Sequence, residues 1–217
     1  MNSTKADRSS DRTEGACGLH DECGFSLAEF IISSVILLLL AAAVFTMLRD
    51  TQRAASYQTE VQAVIENTRI GLDTVSRILQ QTGNDPLNTG FSGLTIVSST
   101  EARVLSDLTG SAAPSYPDKG DPDGDTNDAN EDVSIRYNAT AKTLELVPQG
   151  GAAQAIASHI TAFSMQFFDA SGGSTSVGAD VRKVTVSITG ATSVPNPQTG
   201  QRFSVQLGSD IQLATRQ

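Results

Sequence analysis

The strongest hydrophobic pattern in the chain is an unbroken apolar run near its N-terminus. Residues 30–48 read FIISSVILLLLAAAVFTML, nineteen positions without a charged side chain. As a helix that rises 1.5 Å per residue, this run would span roughly 28 Å, close to the ~30 Å hydrocarbon core of a bilayer. Its only polar positions are Ser33, Ser34 and Thr46. We therefore expect a membrane-spanning helix.

Two other interpretations of this run are a buried core helix and a cleaved secretory signal peptide. A core helix usually carries a polar stripe, which this run lacks. The apolar part of a signal peptide is usually about 7–15 residues long and precedes a site with small residues. This run is longer, and no such site follows it. The pattern therefore favours a run that is retained in the mature protein.

Beyond the apolar run, the pattern predicts that the helix continues to about Gln81. Apolar residues recur at three- and four-residue spacing, which is typical of an amphipathic helix. The segment TGNDP at 82–86 combines Gly, Asn and Pro and should end the helix. The apolar positions of this predicted stripe are Ala54, Val61, Val64, Ile65, Leu72, Val75, Ile78 and Leu79.

The rest of the chain alternates apolar and polar residues, which is typical of β-strands with one buried face. About seven such strands predict an α+β protein in which an antiparallel sheet packs against the helix. The alternating positions are Leu94 and Ile96; Val104 and Leu108; Val133, Ile135 and Tyr137; Leu144 and Leu146; Phe163, Met165 and Phe167; Val184, Val186 and Ile188; Phe203, Val205 and Leu207; and Ile211 with Leu213.

Composition excludes several classes of function. The 217 residues include 15 Lys+Arg and 24 Asp+Glu, a formal charge of −9, which argues against non-specific nucleic-acid binding. With two His and two Cys, most His- or Cys-based sites are excluded. Cys17, His20 and Cys23 are one ligand short of a closed zinc site. No catalytic triad, phosphate loop or nucleotide motif is present, so we expect no enzymatic activity.

The six residues before the apolar run are Gly24-Phe25-Ser26-Leu27-Ala28-Glu29. A carboxylate at the start of a membrane helix is costly unless it has a partner. This motif resembles the class III signal of type IV pilins and pseudopilins. The resemblance implies that a prepilin peptidase cleaves between Gly24 and Phe25 and N-methylates Phe25. It also implies that Glu29 pairs with the new amino terminus of a neighbouring subunit during assembly. The alternative is an interfacial glutamate with no partner.

Three later segments resemble the helical spine of PilW-type minor pilins and J-type minor pseudopilins. They read DTQRAASY at 50–57, IENTRIGLD at 65–73 and SRILQQTG at 76–83. The resemblance implies a pilin fold, in which a long N-terminal membrane-spanning helix packs against an antiparallel β-sheet domain. It divides the chain into a cleaved leader, 1–24, a spine helix, 25–82, and a soluble β-rich domain, 83–217. The spine would be transmembrane over 25–48 and amphipathic over 49–82.

The family resemblance also implies a function and a location. The chain would be a structural subunit that helps to initiate a type IV pilus or a type II secretion pseudopilus, and the sequence does not separate these two. Its partners would be the prepilin peptidase, other major and minor pilins or pseudopilins, and the bacterial inner membrane. It would cross that membrane once, with its C-terminal domain in the periplasm. The alternative function is a calcium-dependent adhesin displayed on a pilus.

Most of the negative charge lies in one segment. Residues 118–132 hold seven acids and one Lys, a net charge of −6, and we call this segment the acidic loop. Closely spaced carboxylates resemble calcium loops, although Thr126 and Asp132 stand where an EF-hand needs Gly and Glu. Ca²⁺ is the one candidate cofactor, and none is required by the sequence. The alternative is a mobile acidic loop without an ion. The candidate ligands are Asp121, Asp123, Asp125, Asn127, Asp128, Glu131 and Asp132.

Overall fold

The computed structural model describes residues 26–110, 120–128 and 130–213. Within these ranges the chain is an α+β protein with one long N-terminal helix and antiparallel sheets. The chain divides into two compact units, Met1–Arg49 and Asp50–Gln217. The helix, α1, runs from Leu27 to Gln81, the residue at which the sequence predicts its end.

The apolar part of α1 is long and apolar enough to cross a membrane, and none of it is buried inside the protein. Phe30, Leu38 and Phe45 are each more than 60% exposed. Two of its polar side chains bond to the backbone of the helix itself. The Ser34 hydroxyl donates to the Ile31 carbonyl at 2.8 Å, and that of Thr46 donates to Ala42 at 2.9 Å. The interpretation of this segment as a buried core helix is therefore wrong.

The strands form two antiparallel sheets among the described residues, whereas the sequence predicted a single sheet. The first sheet has the order β1-β2-β3-β4-β5 and the second has the order β6-β7-β8. The described residues form eight strands where about seven were expected. The additional strand is β5, which the sequence pattern missed because β5 is short and lacks a clear alternation of apolar and polar residues. The strands are β1 (Leu94–Ser98), β2 (Glu101–Leu105), β3 (Asp132–Asn138), β4 (Thr143–Pro148), β5 (Gln154–Ala157), β6 (Ile160–Phe168), β7 (Lys183–Ala191) and β8 (Ser204–Gln212).

Both sheets and the second part of α1 contribute to one hydrophobic core. Val75 and Leu79 of the helix are fully buried, and the alternating residues Phe163, Met165 and Phe167 are also buried, as their pattern predicts. The predicted helical stripe is wrong at Ile65, which is 41% exposed. The core residues are Val75, Leu79, Leu94, Ala102, Val104, Ile135, Leu144, Ala157, Ile160, Phe163, Met165, Phe167, Val181, Val184, Val186, Ile188 and Ile211.

The helix and the strands come into close contact at two glycines. A Cβ atom added to Gly71 of α1 would lie 3.1 Å from Ala157 Cβ. A Cβ atom added to Gly190 of β7 would overlap Thr68 Oγ1 and would lie 3.0 Å from Val64 Cγ1. Because the missing side chains let the backbones approach, these two glycines set the distance between the helix and its neighbouring strands.

Candidate functional site

The first candidate site is the N-terminal end of α1. Gly24 and Phe25, the predicted processing residues, lie outside the described residues. Glu29 lies in the first turn of the helix, and its side chain is exposed. An acidic side chain is favourable in this turn, because the free N–H groups of a helix start carry partial positive charge. The partial positive charge at the start of the helix therefore makes Glu29 favourable there without any other group. The Glu29 carboxylate remains accessible to a partner.

The second candidate site is the acidic loop, which Glu131 anchors to the segment that follows β2. The Glu131 side chain is fully buried. Its Oε1 atom accepts hydrogen bonds from the backbone N–H groups of Leu108 at 2.8 Å and Thr109 at 2.7 Å. Its Oε2 atom accepts one from the Asp128 backbone N–H at 3.2 Å. Glu131 thus satisfies backbone donors both inside the acidic loop and in the segment that follows β2.

Asp132, the next residue, is bound to an arginine. Arg103 of β2 donates from Nε to Asp132 Oδ1 at 2.7 Å and from Nη2 to Asp132 Oδ2. The side-chain hydrogen bonds to Asp132, followed by its negative charge, raise the pKa of Arg103 above its usual value. Because both carboxylate oxygens of Asp132 face a guanidinium group, they are poorly placed to bind a cation.

Three of the predicted calcium ligands are brought together in the loop. Asp123, Asp125 and Asp128 each offer a carboxylate oxygen, and these oxygens lie within 4.8 Å of one another. Asp123 and Asp125 reach solvent, and Asp128 is half-buried. Asp121, Glu131 and Asp132 do not belong to this group of acidic ligands. Asn127 lies beside it and donates its backbone N–H to Asp125 Oδ1 at 2.9 Å.

The structure adds one carboxylate that the sequence analysis missed. Asp107, which follows β2, is fully buried, and its Oδ2 atom accepts a hydrogen bond from the Gly124 N–H at 3.0 Å. Gly124 lies between Asp123 and Asp125, so Asp107 contacts the middle of the acidic loop. No signal in the sequence links Asp107 to the loop, because the contact depends on how the strands fold.

Two carboxylate oxygens in or beside the acidic loop are buried and have no hydrogen-bond partner among the described residues. They are Asp107 Oδ1 and Asp128 Oδ2. Burial raises the pKa of Asp128, and the nearby charges of Glu131, Asp123, Asp125 and Asp107 raise it further. The loop therefore holds its carboxylates close together at an electrostatic cost.

The acidic loop is also packed against the segment that follows α1. Gly124 has a φ of +94°, and a Cβ atom there would lie 3.0 Å from Thr89 Cγ2. Asn84 is bonded twice to Asp107: its carbonyl accepts the Asp107 N–H at 2.7 Å, and its side-chain amide donates to the Asp107 carbonyl at 2.6 Å. These contacts place the carboxylates beside the turn that ends the helix.

The segment after α1 is itself held by Asp85, a buried side chain. Asp85 Oδ1 accepts the Thr89 N–H at 2.9 Å, and Oδ2 accepts the Gly90 N–H at 2.9 Å. Because this carboxylate fixes the turn, the surface that receives Gly124 is ordered by hydrogen bonds of its own.

No protein-family model matches the chain, and no curated protein is similar to it in sequence.

Proposed function

We propose that this chain is a minor pilin or pseudopilin, a structural subunit that enters and helps to initiate a type IV pilus or a type II secretion pseudopilus. Two features support the proposal: the Gly24-Phe25 processing motif with Glu29, and the α+β architecture with a long N-terminal helix. In this proposal the first part of α1 anchors the subunit in the inner membrane, and the β-rich part is periplasmic.

The observation that carries the proposal is the exposed apolar part of α1. None of the segment that could span a membrane is buried inside the protein. An apolar surface of this extent has to be covered, either by lipid or by other apolar helices. A subunit that moves from the membrane into a filament needs a helix that is compatible with both environments, and this uncharged segment meets that requirement.

The chemistry of assembly then follows from Glu29. Cleavage before Phe25 would create a positively charged amino terminus four residues before Glu29. Each of the two charges is costly in apolar surroundings, and each is neutralised if the amino terminus of one subunit meets Glu29 of the next. Such pairing would favour one register between neighbouring helices.

The test is processing by a prepilin peptidase. The full chain is co-expressed with the peptidase, and the mature N-terminus is determined by mass spectrometry. We expect a mature chain that begins with N-methylated Phe25. The substitution Gly24→Val should block cleavage, because a branched side chain would occupy the position next to the scissile bond. Gly18→Val, the same change elsewhere in the leader, is the matched control and should be cleaved normally.

The competing interpretations give different N-termini. A secretory signal peptide would be cut after the apolar run, beyond Leu48. A plain membrane anchor would keep the residues before Phe25 in the presence of the peptidase. Either result would contradict the proposed function.

A further inference from the structure

We propose that a cavity between the last turns of α1 and the first sheet binds an amphipathic carboxylate, a small molecule with an apolar body and one carboxylate group. The cavity has a volume of about 340 Å³. This volume lies within the range of about 300–1,000 Å³ that is typical of small-molecule sites. The site goes beyond the proposed function, because none of the described residues that line it belongs to the processing motif or to the apolar part of α1.

The floor of the cavity is a row of apolar side chains that crosses three strands. Val104 of β2 is paired with Val133 of β3, and Val133 is paired with Pro148 of β4, so the three residues share one face of the sheet. Leu146, on the same face of β4, and Ile78 of α1 also line the cavity, and both pack against the hydrophobic core. The floor therefore offers an apolar group a surface that is continuous with the core.

Exposed polar side chains surround this floor. Gln81 at the end of α1, Asn130 before β3 and Gln154 of β5 all line the cavity and are exposed, whereas Val104 and Val133 are buried. Side-chain amides both donate and accept hydrogen bonds, so they suit the polar end of a bound molecule. An apolar floor below a polar rim favours an amphipathic ligand whose polar end lies at the mouth of the cavity.

Arg77 of α1 determines the charge of that polar end. It is exposed, and it is the one charged residue among the described residues that line the cavity. Asp73, one turn earlier on α1, pairs with Arg69 at 4.0 Å, and Arg77 forms no ion pair with any described residue. A guanidinium group binds a carboxylate through two parallel hydrogen bonds. One unpaired positive charge beside an apolar floor therefore fits a monocarboxylate.

The experiment follows the binding of octanoate to the full chain in phosphatidylcholine nanodiscs, which keep detergent away from the cavity. Isoleucine methyl groups are isotopically labelled and observed by NMR. Ile78 lines the cavity, whereas Ile70, on the same helix, is 43% exposed and is not among the lining residues. We expect a saturable chemical-shift change at the Ile78 methyl group and no saturable change at Ile70.

A charge variant tests the role of Arg77. Arg77→Gln should weaken octanoate binding about three- to tenfold, because the carboxylate loses its charge-assisted hydrogen bonds at an exposed site. Octanol has a similar apolar chain and no charge, so it should bind the wild type and Arg77→Gln with equal affinity. Arg69→Gln removes an exposed arginine elsewhere on α1 and is the matched control, with unchanged octanoate affinity. Partition of the ligands into lipid is the same for every variant, so ratios of affinity report on the site.

A second variant fills the cavity. Thr74 of α1 lines the cavity and is half-buried. Thr74→Phe places an aromatic ring there and should weaken the binding of both octanoate and octanol at least tenfold. Gln80→Phe, at an exposed position of α1 outside the cavity, is the control and should bind both ligands normally. Circular dichroism establishes that both variants are folded, and Arg77→Gln tests the site without changing a buried residue.

Three outcomes would overturn the proposal. If the Ile78 methyl signal shows no saturable change, the cavity does not bind an amphipathic carboxylate. Equal octanoate affinity in the wild type and Arg77→Gln would contradict the assignment of the carboxylate to Arg77. Unchanged binding to folded Thr74→Phe would place the ligand elsewhere. None of these results depends on whether prepilin peptidase cleaves the chain.

Discussion

Buried carboxylates in the unit Asp50–Gln217 differ in which groups balance their negative charge. Asp132 binds one arginine through both oxygens, and Glu131 accepts hydrogen bonds from backbone N–H groups. Glu145 of β4 is 7% exposed and accepts from Arg136 Nη2 at 2.8 Å, Asn138 Nδ2 at 2.9 Å and Thr143 Oγ1 at 3.0 Å. Asp107, in contrast, keeps one buried oxygen, Oδ1, without a hydrogen-bond partner among the described residues.

The hydrogen bonds to Glu145 predict a pH-dependent contribution to stability. The Arg136 guanidinium, followed by the Asn138 amide, holds the pKa of Glu145 below its usual value of 4.5. A lowered folded-state pKa means that ionised Glu145 stabilises the protein fully above about pH 4.5. This contribution is lost as the pH falls through the folded-state pKa. We expect Glu145→Gln to lower the free energy of unfolding at pH 7 by about 1–3 kcal/mol.

The measurement is urea unfolding of both proteins at a series of pH values from 7 downwards. The difference between the wild type and Glu145→Gln should shrink as the pH falls below about 4.5, because the wild-type carboxylate becomes protonated. Glu66→Gln, an exposed glutamate on α1, serves as the control and should change stability by less than about 0.5 kcal/mol. A difference that is constant across this pH range would contradict the role assigned to the Glu145 charge.

At the scale of residues, the sequence predicted which loop is chemically unusual but not which side chains meet in it. Asp123 and Asp125 are close in sequence, so their proximity follows from local spacing. Asp107 bonds to Gly124, which lies between them, only because the segment after β2 and the acidic loop come together in three dimensions. For the same reason, the pairing of Asp132 with Arg103 could not be predicted, because it depends on the register between β2 and β3.

At the scale of elements, α1 and β7 are in close contact. Gly190 of β7 faces Thr68 and Val64 of the helix, where no side chain fits between the two backbones. Thr68 is fully buried, and its hydroxyl donates to the Val64 carbonyl at 2.7 Å. The surface of α1 at Thr68 and Val64 therefore fits closely against β7 at Gly190.

This contact predicts the effect of Gly190→Ala. The added methyl group overlaps Thr68 Oγ1, so we expect a loss of about 1–3 kcal/mol in the free energy of unfolding. Thr68→Ala removes the overlapping hydroxyl. The double variant should therefore be more stable than the sum of the two single losses predicts, by at least about 0.5 kcal/mol. Chemical denaturation of the four proteins in the cycle measures this coupling, and strictly additive losses would show that the steric contact is absent.

At the scale of elements, the periodicity of apolar residues located the helix and most of the strands. Period-two alternation over Phe163–Phe167 indicates a strand because it reflects one buried face, and the structure confirms that face. The sequence missed β5, where Ala155 and Ile156 do not alternate cleanly with polar residues. It also merged two sheets into one, because alternation identifies a strand but carries no information about its neighbours.

At the scale of the whole molecule, the N-terminal apolar surface of α1 is not covered by any other described residue. Large side chains from Leu27 to Leu48 are exposed, and none of the candidate membrane span is buried inside the protein. A surface of this kind is stable only in lipid or in contact with other apolar helices. The proposed function supplies both environments, first the membrane and then the filament.

Glu29→Gln tests the assembly step of the proposed function. Loss of the negative charge should leave cleavage before Phe25 unchanged, because the substitution lies outside the scissile bond. Incorporation into filaments should fall at least tenfold, because the amino terminus of the neighbouring subunit would lose its counter-charge in apolar surroundings. The ratio of subunit in sheared filaments to subunit in membranes measures the effect in cells that contain the cognate assembly system.

Glu66→Gln, which removes a charge from an exposed position on the same helix, is the matched control for assembly. It should incorporate at the wild-type level. Equal incorporation of Glu29→Gln and the wild type would show that Glu29 is an interfacial carboxylate without an assembly role.

The sequence by itself determined the features that depend on neighbouring residues. The apolar run, the end of α1 near Gln81 and the acidic character of residues 118–132 follow from local composition and periodicity, which record how each segment meets water or lipid. Only the tertiary structure decided the division into two sheets, the approach of α1 to Gly190 and the recruitment of Asp107 to the acidic loop. These features arise from contacts between residues far apart in sequence, and the free energy of such contacts depends on the three-dimensional fold.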